Sequence, residues 1–358
     1  MKLTRLIDLP PAEGNPRNSE GSFLGLSDGR IAYAYSRYSG TSSSDGAYCE
    51  IAVIYSDDGG EHFTSPKILV KPDRTRDETN CMSVSLLEMP NGESGLFYLV
   101  KHKGMWSEVI LRRSGDGFET LGEEIRCAPE KFRDYYVVNN DRVLKTENGT
   151  LILPVALHRS AMNHYGYGES VDSRAIAEFF ASYDGGFTWK RISDSISIPA
   201  AYSSAGLQEP GVIELSGGTL YSYFRTDLGR HYESVSIDGG HNWFTPQPSR
   251  FTGPCSPLHI KRNPYSGEYF AVWNPVSPSV TAAKDWCHQR TPLVIAKSSD
   301  GVNFSYPEIL ENAEDAGYCY PALHFLSERE ALISYCAGED SMGDSSCLVR
   351  TRIARLEL

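Results

Sequence analysis

The sequence predicts an all-β protein built as a six-bladed β-propeller, with four antiparallel strands in each blade. Two observations support this fold class: a polar turn of one type returns five times along the chain, and the segments between the turns have the composition of short strands. The turns begin 54 to 68 residues apart, which is enough chain for one four-stranded sheet. The 358 residues then provide about six such units. We therefore expect residues 1–358 to form a single propeller domain.

The repeated turn has the pattern Ser-x-Asp-x-Gly-x-x-aromatic and is called an Asp-box below. Its five copies begin at Ser56, Ser114, Ser182, Ser236 and Ser298. In each copy we expect the Ser and Asp side chains to bond to nearby backbone amides, Gly to supply positive φ, and the aromatic residue to be buried beneath the hairpin. The copies at Ser114 and Ser298 lack the second Gly. A single Asp-Gly-Gly hairpin is common in all-β proteins, so the prediction depends on the regular recurrence.

The segments between the turns have the features of strands. Residues 46–55 and 149–155 are rich in β-branched and aromatic side chains and are bounded by Gly, Asn and Asp. No amphipathic stretch of 12 or more residues indicates a helix. A propeller must also avoid an open edge, and residues 2–9 and 347–356 have the composition of closing strands. We expect these two terminal strands to share the last blade.

The charge and hydropathy of the chain exclude several classes of partner. The formal net charge of −12 argues against nucleic acid and against an anionic membrane surface. The first ten residues contain too short an apolar run for a signal peptide, and no segment approaches the length of a membrane span, so membrane insertion is not expected. We expect a cytoplasmic location for the chain as written, and a secreted or periplasmic one if a signal was removed.

The cysteine and histidine spacings predict neither a metal site nor a cofactor. None of the eight cysteines forms a Cys-x-x-Cys pair, and no histidines have the spacing of His-Glu-x-x-His. Glycine-rich phosphate loops and Gly-x-Ser-x-Gly elbows are also missing from the sequence. Buried free thiols are the expected state of the cysteines, although disulfides remain open for an oxidising compartment.

Four arginines stand beside predicted strand ends and away from the repeated turns. They are Arg17, Arg37, Arg225 and Arg290. The rigid fork of a guanidinium binds a carboxylate through two parallel hydrogen bonds, whereas a single such arginine is more often part of a surface ion pair. Their positions alone leave both roles open, binding of an acidic ligand and surface ion pairing.

The order of these residues and the Asp-boxes resembles the sialidase (neuraminidase) superfamily over nearly the whole chain. In that family two arginines and an Asp precede the first Asp-box, and here Arg17, Arg37 and Asp45 occur in that order before Ser56. One departure is local: the Ile-Pro that follows the first Arg in the family is replaced by residues 18–19, Asn-Ser.

The second half of the chain extends the resemblance. The family has a Glu and then an Arg before a later Asp-box, and Glu209 and Arg225 stand in that order before Ser236. Arg290 precedes the last box, and Tyr320 follows it in the position of the family's nucleophile. Tyr318 is an alternative, because alternation along a strand would direct both tyrosines to one face.

The resemblance implies an exo-α-sialidase-like glycoside hydrolase with a retaining mechanism. Glu209 would take the proton of the Tyr320 hydroxyl, Tyr320 would attack the anomeric carbon, and Asp45 would act as general acid and then as general base. Three arginines would bind the carboxylate of a sialylated or other acidic oligosaccharide: Arg17, Arg225 and Arg290. Arg37 would hold Asp45 or the rim of the pocket. No metal or organic cofactor is implied.

Two other functions remain open at this point. The propeller could hydrolyse or eliminate a different acidic sugar, which the departure after Arg17 and the elaborate segment 138–170 would favour. It could also bind glycans without cleaving them. A binder needs only the arginines, so the joint presence of Asp45, Glu209 and Tyr320 favours catalysis over binding alone.

Overall fold

The computed structural model describes residues 1–128, 134–162, 168–276 and 290–358. These residues form six antiparallel sheets arranged as the blades of a propeller, which confirms the predicted fold class. Five sheets have four strands, and the third has one additional short strand. The only helices in the described ranges are two single 3-10 turns, Arg74–Arg76 and Asp340–Met342. No helix among these residues is long and apolar enough to cross a membrane.

The strands of the first three blades follow the chain from the inside of the propeller to its edge. The first blade contains β2 (Arg17–Gly25), β3 (Ile31–Tyr38), β4 (Cys49–Ser56) and β5 (Lys67–Val70). The second contains β6 (Glu78–Glu88), β7 (Ser94–His102), β8 (Trp106–Ser114) and β9 (Ile125–Arg126). The third contains β10 (Tyr135–Val137), β11 (Leu144–Lys145), β12 (Leu151–Met162), β13 (Gly168–Ser182) and β14 (Lys190–Arg191).

The last three blades complete the ring. The fourth contains β15 (Gln208–Glu214), β16 (Leu220–Arg225), β17 (Arg230–Ser236) and β18 (Gln247–Thr252). The fifth contains β19 (His259–Arg262), β20 (Tyr269–Trp273), β21 (Leu293–Ser298) and β22 (Glu308–Glu311). The sixth contains β23 (Ala316–Phe325), β24 (Glu330–Glu339), β25 (Thr351–Glu357) and β1 (Lys2–Leu9), where β1 pairs antiparallel with β25. Strand β25 therefore begins at Thr351, four residues after the expected start at 347.

Each Asp-box connects the third and fourth strands of its blade. In the first copy Ser56 Oγ donates to Asp58 Oδ1 at 2.8 Å and accepts a hydrogen bond from the Gly60 amide at 2.8 Å. The copies that begin at 114, 182 and 236 repeat this geometry, whereas in the copy at 298 the amide that donates to the Ser lies one residue earlier, at Gly301. In the second copy Phe118 stands where the first has its second Gly, adopts φ +70°, and is fully buried. Burial of the aromatic ring thus accompanies a backbone conformation that normally favours Gly.

The hydrophobic core lies between neighbouring blades. One cluster of buried residues joins Ala32 and Val53 of the first blade to Leu96 and Tyr98 of the second. Strand β4 is buried along all eight residues, so it reads as a continuous apolar run with little alternation. Because both faces of a blade are covered by its neighbours, this packing fixes the inner strands that surround the centre of the propeller.

The innermost strands are irregular in the half that lies away from the Asp-boxes. Strands β2, β6, β15 and β23 each carry a β-bulge or register shift there. In the third blade the inner strand is divided into β10 and β11, which both pair with β12. Bulges redirect side chains and are frequent beside active sites. The irregular half of the inner strands is therefore where a site is expected.

The interruption between β10 and β11 places two charged residues at the centre of the propeller. Asp141 accepts hydrogen bonds from Lys261 at 2.9 Å and from Ser22 at 2.9 Å, in the fifth and first blades. Arg142 donates to the hydroxyl of Tyr223 at 2.6 Å and to the carbonyl of Leu258 at 2.7 Å. These contacts connect the third blade to the first, fourth and fifth.

Candidate active site

The predicted site residues lie at the end of the propeller opposite to the Asp-boxes. Strands β2 and β4 run in the same direction because each is antiparallel to β3. Since β4 ends at the Asp-box residue Ser56, β2 begins at the other end, with Arg17 as its first residue. Asp45 lies in the β3–β4 connection at that same end. Glu209 and Tyr320 come from the corresponding parts of β15 and β23.

A cavity of about 160 Å³ opens at this end, and four of the predicted residues line it: Arg17, Asp45, Glu209 and Tyr320. The remaining lining residues come from β2, from the second blade and from the start of the third: Glu20, Met82, Ser83, Leu99, Lys101, Tyr135, Val137, Val138 and Asn139. One side of the cavity is thus charged and the other is largely apolar.

Glu209 and Tyr320 form a hydrogen-bonded pair across the cavity. The Tyr320 hydroxyl donates to Glu209 Oε1 at 2.9 Å. Both residues lie within β-bulges and have positive φ, +45° for Glu209 and +53° for Tyr320. The second carboxylate oxygen of Glu209 is buried without a hydrogen-bond partner. Burial and the neighbouring Glu209 raise the pKa of Tyr320 well above its ordinary value, and the charges of Arg225 and Arg290 oppose this increase.

Arg225 and Arg290 flank this pair. Arg225 Nη1 donates to Glu209 Oε1 at 2.8 Å and lies 3.4 Å from the Tyr320 hydroxyl. Arg290 Cζ is 5.6 Å from the centre of the Tyr320 ring, and its Nη1 contacts Cys319 Sγ at 3.0 Å. Within the described residues no carboxylate lies within ion-pair distance of Arg290. Its charge is therefore available to an acidic ligand.

Arg17 is held rigidly and pairs with Asp45. Its side chain is 3% exposed, and its guanidinium lies 4.4 Å from the centre of the Tyr38 ring. Nη1 donates to Asp45 Oδ1 at 2.6 Å, and Nη2 donates to Ser19 Oγ at 3.0 Å and lies 3.6 Å from Glu20. Partial loss of hydration tends to raise the pKa of the Asp45 carboxyl, but the charge and hydrogen bond of Arg17 outweigh it, so this pKa lies below its usual range.

Arg37 lies apart from the other three arginines. It stands directly opposite Glu50 in the register of β3 and β4, with Nη1 at 3.6 Å from that carboxylate, and it donates to Ser39 Oγ at 3.0 Å. The expectation that Arg37 holds Asp45 is wrong, because Arg17 makes that contact. Like Arg225 and Arg290, Arg37 does not line the cavity, but unlike them it does not contact the pair of Glu209 and Tyr320.

The two tyrosines of β23 do not share a face as simple alternation predicts. A register shift between Cys319 and Ala322 interrupts the alternation, so that Tyr320 lines the cavity. Tyr318 is fully buried in the core between the fifth and sixth blades, where its hydroxyl has no hydrogen-bond partner. Burial raises the pKa of Tyr318 to about 12. The structure therefore brings Tyr320, and not Tyr318, to Glu209.

Several polar residues that the sequence did not indicate also line the cavity, among them Glu20, Ser83 and Lys101. Lys101 Nζ donates to the backbone carbonyl of Asp45 at 2.9 Å, and Glu20 lies beside Arg17. Asn139 is buried, and its Nδ2 has no hydrogen-bond partner. Asn139 belongs to segment 138–170, whose role was open. Its described residues 138 and 139 line the cavity, and residues 163–167 lie outside the described chain.

The described residues contain no group of three His, Cys, Asp or Glu side chains that could hold a metal ion. Each of the seven cysteines in the described ranges is a free thiol, and three of them contact the arginines: Cys255, Cys319 and Cys347. The eighth, Cys287, lies outside those ranges. The cavity is thus formed by charged, polar and apolar side chains.

Comparison with known families identifies the repeat. Residues 29–331 match the BNR repeat-like domain, well over half of the chain. The chain belongs to this family. Together with the six blades, this match confirms the predicted BNR propeller with Asp-box turns.

Solved structures with the same fold include proteins from several bacteria. A Dyadobacter fermentans protein of unknown function has a TM-score of 0.72 at 16% identity, and the match covers 99% of each chain. The Hadza microbial sialidase Hz136 has a TM-score of 0.71 at 15% identity, with 97% of this chain and 66% of that one covered. The NanB sialidase of Streptococcus pneumoniae has a TM-score of 0.70 at 13% identity, with 99% and 70% covered. No curated protein sequence matches the chain. At these identities the structural likeness shows the fold alone.

Proposed function

We propose that this BNR propeller is an exo-α-sialidase-like glycoside hydrolase that releases terminal sialic acid from glycans with retention of configuration. The observation that carries the proposal is the 2.9 Å hydrogen bond from the Tyr320 hydroxyl to Glu209, flanked by Arg225 and Arg290. A nucleophile in contact with its base can attack a sugar. The two arginines beside this pair, one bound to Glu209 and one without a carboxylate partner among the described residues, suit a sugar that carries its own carboxylate.

The choice of a tyrosine nucleophile follows from the charge of such a substrate. A sialic acid bears a carboxylate on its anomeric carbon, and this group would repel an anionic carboxylate nucleophile. A neutral phenol avoids the repulsion, and sialidases with a Tyr nucleophile are an exception to the usual pair of carboxylates. Because burial holds the Tyr320 proton tightly, attack requires a base in direct contact, and Glu209 is placed to accept that proton as the new bond forms.

The arginines supply the recognition of the substrate carboxylate. Arg290 has no carboxylate partner among the described residues. Arg225 is paired with Glu209 and Arg17 with Asp45, and both of these carboxylates line the cavity. Guanidinium groups can hold a carboxylate through paired hydrogen bonds, which would orient the anomeric carbon toward Tyr320. Sialylated or other acidic oligosaccharides are therefore the proposed partners.

Asp45 is the proposed general acid and base. It lies on the rim of the same cavity as Tyr320 and is largely exposed, so that a leaving group and then a water molecule can reach it. It would protonate the glycosidic oxygen in the first step and remove a proton from water in the second. All of the proposed steps use side chains of this chain.

The test is the release of 4-methylumbelliferone from its α-sialoside by the wild-type protein, Tyr320→Phe and Asp45→Ala. We expect hydrolysis by the wild type and its loss in both variants, with circular dichroism and thermal unfolding confirming that all three are folded. A folded but inactive wild type would contradict the sialidase proposal. Fluorogenic uronides and other nonulosonic acid glycosides would then test another acidic sugar, and glycan-array binding would test a non-catalytic role.

A further inference from the structure

Two carboxylates would bind to the guanidinium of Arg17: that of Asp45 in the free protein and that of the substrate under the proposed function. In the free protein its Nη1 donates to Asp45 Oδ1 at 2.6 Å. Under the proposed function the same guanidinium also binds the carboxylate of the substrate. Nη2 is already engaged by Ser19 and lies near Glu20, and Nε is buried without a partner. A substrate carboxylate that reaches Arg17 must therefore compete with Asp45.

The pair with Arg17 is also unsuited to acid catalysis. A general acid must carry a proton when the substrate arrives, whereas an ion pair with a buried guanidinium stabilises the ionised carboxylate. The charged groups that face Asp45 are Arg17 of its own blade, Lys101 of the second blade and Arg290, which precedes β21 of the fifth blade, and all three favour ionisation. Only the loss of hydration caused by the protein atoms around Asp45 acts in the other direction. The free protein thus keeps Asp45 ionised.

We propose that the carboxylate of the substrate replaces Asp45 as the partner of Arg17, and that Asp45 then takes up a proton from solvent and becomes the general acid. This inference rests on the proposed function. The proton balance is simple: one hydrogen ion from water or buffer is bound by the Asp45 carboxylate, and no electron is transferred. The acidic substrate therefore assembles the protonated catalyst that cleaves it.

The two sides of the ion pair differ in freedom, and this decides which one moves. Arg17 is buried and stacked on Tyr38, whereas the Asp45 side chain is 67% exposed. The exchange therefore displaces the carboxylate and leaves the guanidinium in place. Rotation about the side-chain bonds of Asp45 is sufficient, because exposed side chains change rotamer rapidly.

The backbone of Asp45 is held independently of Arg17. Lys101 Nζ donates to the Asp45 carbonyl at 2.9 Å, and Asn80 Nδ2 donates to the Ala47 carbonyl at 2.7 Å. Both residues belong to the second blade. Asp45 consequently stays on the rim of the cavity after it leaves Arg17, within reach of a leaving group.

The incoming carboxylate changes the charge around Asp45 in one direction. It neutralises Arg17 and Arg290 and adds a negative charge of its own beside Asp45. Like charges at short range disfavour ionisation, so the pKa of Asp45 rises in the complex. Lys101 is the cation that remains and limits the increase.

The test is isothermal titration calorimetry with 2-deoxy-2,3-dehydro-N-acetylneuraminic acid, an uncharged-ring analogue that keeps the carboxylate. Titrations in two buffers of different ionisation enthalpy, at several values between pH 4 and 7, give the number of protons taken up on binding. We expect net uptake approaching one proton per ligand at its maximum for the wild type. We expect the uptake to be lost in Asp45→Asn, which keeps the shape of the side chain and can still bind the ligand.

Each outcome of the titrations supports or contradicts the inference, and the proposed function is tested separately. Binding to the wild type without proton uptake, or uptake that persists in Asp45→Asn, overturns the inference and leaves the proposed function standing. No binding of the analogue at millimolar concentration contradicts the proposed function, and the inference falls with it. A kinetic readout adds a second condition: the alkaline limb of kcat must lie at higher pH than that of kcat/KM, since kcat reports the complex and kcat/KM the free protein. Coincident limbs would contradict the exchange.

Discussion

The Tyr320 hydroxyl and the Glu209 carboxylate meet at 2.9 Å although each residue adopts a backbone conformation that side chains rarely occupy. Positive φ at a non-glycine residue costs on the order of 1–3 kcal/mol and tends to occur at functional sites. Here this conformational cost occurs in two inner strands, at Glu209 of β15 and at Tyr320 of β23, and these two residues form one hydrogen bond with each other. The bulges at 208–211 and 319–322 are therefore best explained by the need to direct these two side chains into the cavity.

The first prediction separates the two tyrosines of β23. Tyr320→Phe is expected to reduce kcat by several orders of magnitude, because it removes the nucleophile. Tyr318→Phe is the matched control: it also removes one hydroxyl from the same strand, and that hydroxyl has no hydrogen-bond partner. Steady-state hydrolysis of an aryl α-sialoside measures both. Comparable loss in Tyr318→Phe, in a folded variant, would contradict the assignment.

The second prediction concerns Glu209 as the base. Glu209→Gln keeps the size of the side chain and a hydrogen bond to Tyr320, but it cannot accept the phenolic proton. We expect kcat to fall by about 10²–10⁴-fold, the usual contribution of a positioned general base. An analogue that carries the substrate carboxylate should still bind, since Arg290 is unaffected. Rates within threefold of the wild type would indicate that another group takes the proton.

The fold was predictable because its signal is local and repeated. A Ser, an Asp and an aromatic residue within eight positions are enough to define each Asp-box, and the copies at 56, 182 and 236 show the expected bonds. The copy at Ser114 shows that the pattern tolerates one exception, since Phe118 occupies the position of the second Gly. Recurrence at one-blade spacing then determines the number of sheets.

The site was predictable only where it depends on the order of residues along the chain. The sequence predicted four site residues that the structure places around one cavity: Arg17, Asp45, Glu209 and Tyr320. It could not show that a register shift separates Tyr318 from Tyr320, because a bulge depends on pairing with the next strand.

The sequence also failed where a partner is distant. Arg37 of β3 lies opposite Glu50 of the neighbouring strand β4, and this pairing holds its side chain away from the cavity. Lys101 reaches the Asp45 carbonyl from the neighbouring blade, 56 residues away in sequence. The first contact depends on the register of two paired strands and the second on the packing of neighbouring blades, and neither has a short-range signal in the chain.

The third prediction compares two arginines that the sequence treated alike. Arg290→Gln is expected to lower kcat/KM by about 10–100-fold, which corresponds to one hydrogen bond between charged groups. Arg37→Gln should have a much smaller effect, because its partners are Glu50 and Ser39, whereas Arg290 lies beside the Tyr320 ring. Kinetics of both variants on one substrate provide the comparison. An equal loss in the two would place Arg37 at the substrate after all.

The fourth prediction concerns the stability of the propeller at its centre. The Asp141 side chain is buried, accepts hydrogen bonds from Lys261 and Ser22, and lies 3.3 Å from His259 Nε2. Burial alone would raise the pKa of Asp141, but Lys261 and His259 outweigh it and hold this pKa below the ordinary range. Asp141→Asn tolerates the same φ of +55°, removes the charge and replaces one acceptor oxygen with an NH₂ donor. We expect a loss of roughly 3 kcal/mol in the free energy of unfolding at pH 7, toward the lower end for a broken buried pair because Lys261 can reach water.

The sign of the pH dependence follows from the depressed pKa. A carboxylate with a folded-state pKa below its unfolded value of about 4 stabilises the protein above that value and loses this contribution as the pH falls below it. Urea unfolding at pH 7 and between pH 4 and 3 should therefore show a smaller gap between the variant and the wild type as the solution becomes more acidic. Asp28→Asn is the control, since Asp28 is exposed and pairs only with Arg30 and should change stability little at any pH. If Asp141→Asn matched Asp28→Asn at pH 7, the bonds of Asp141 would not hold the blades together, and packing between the sheets would account for the stability of the ring.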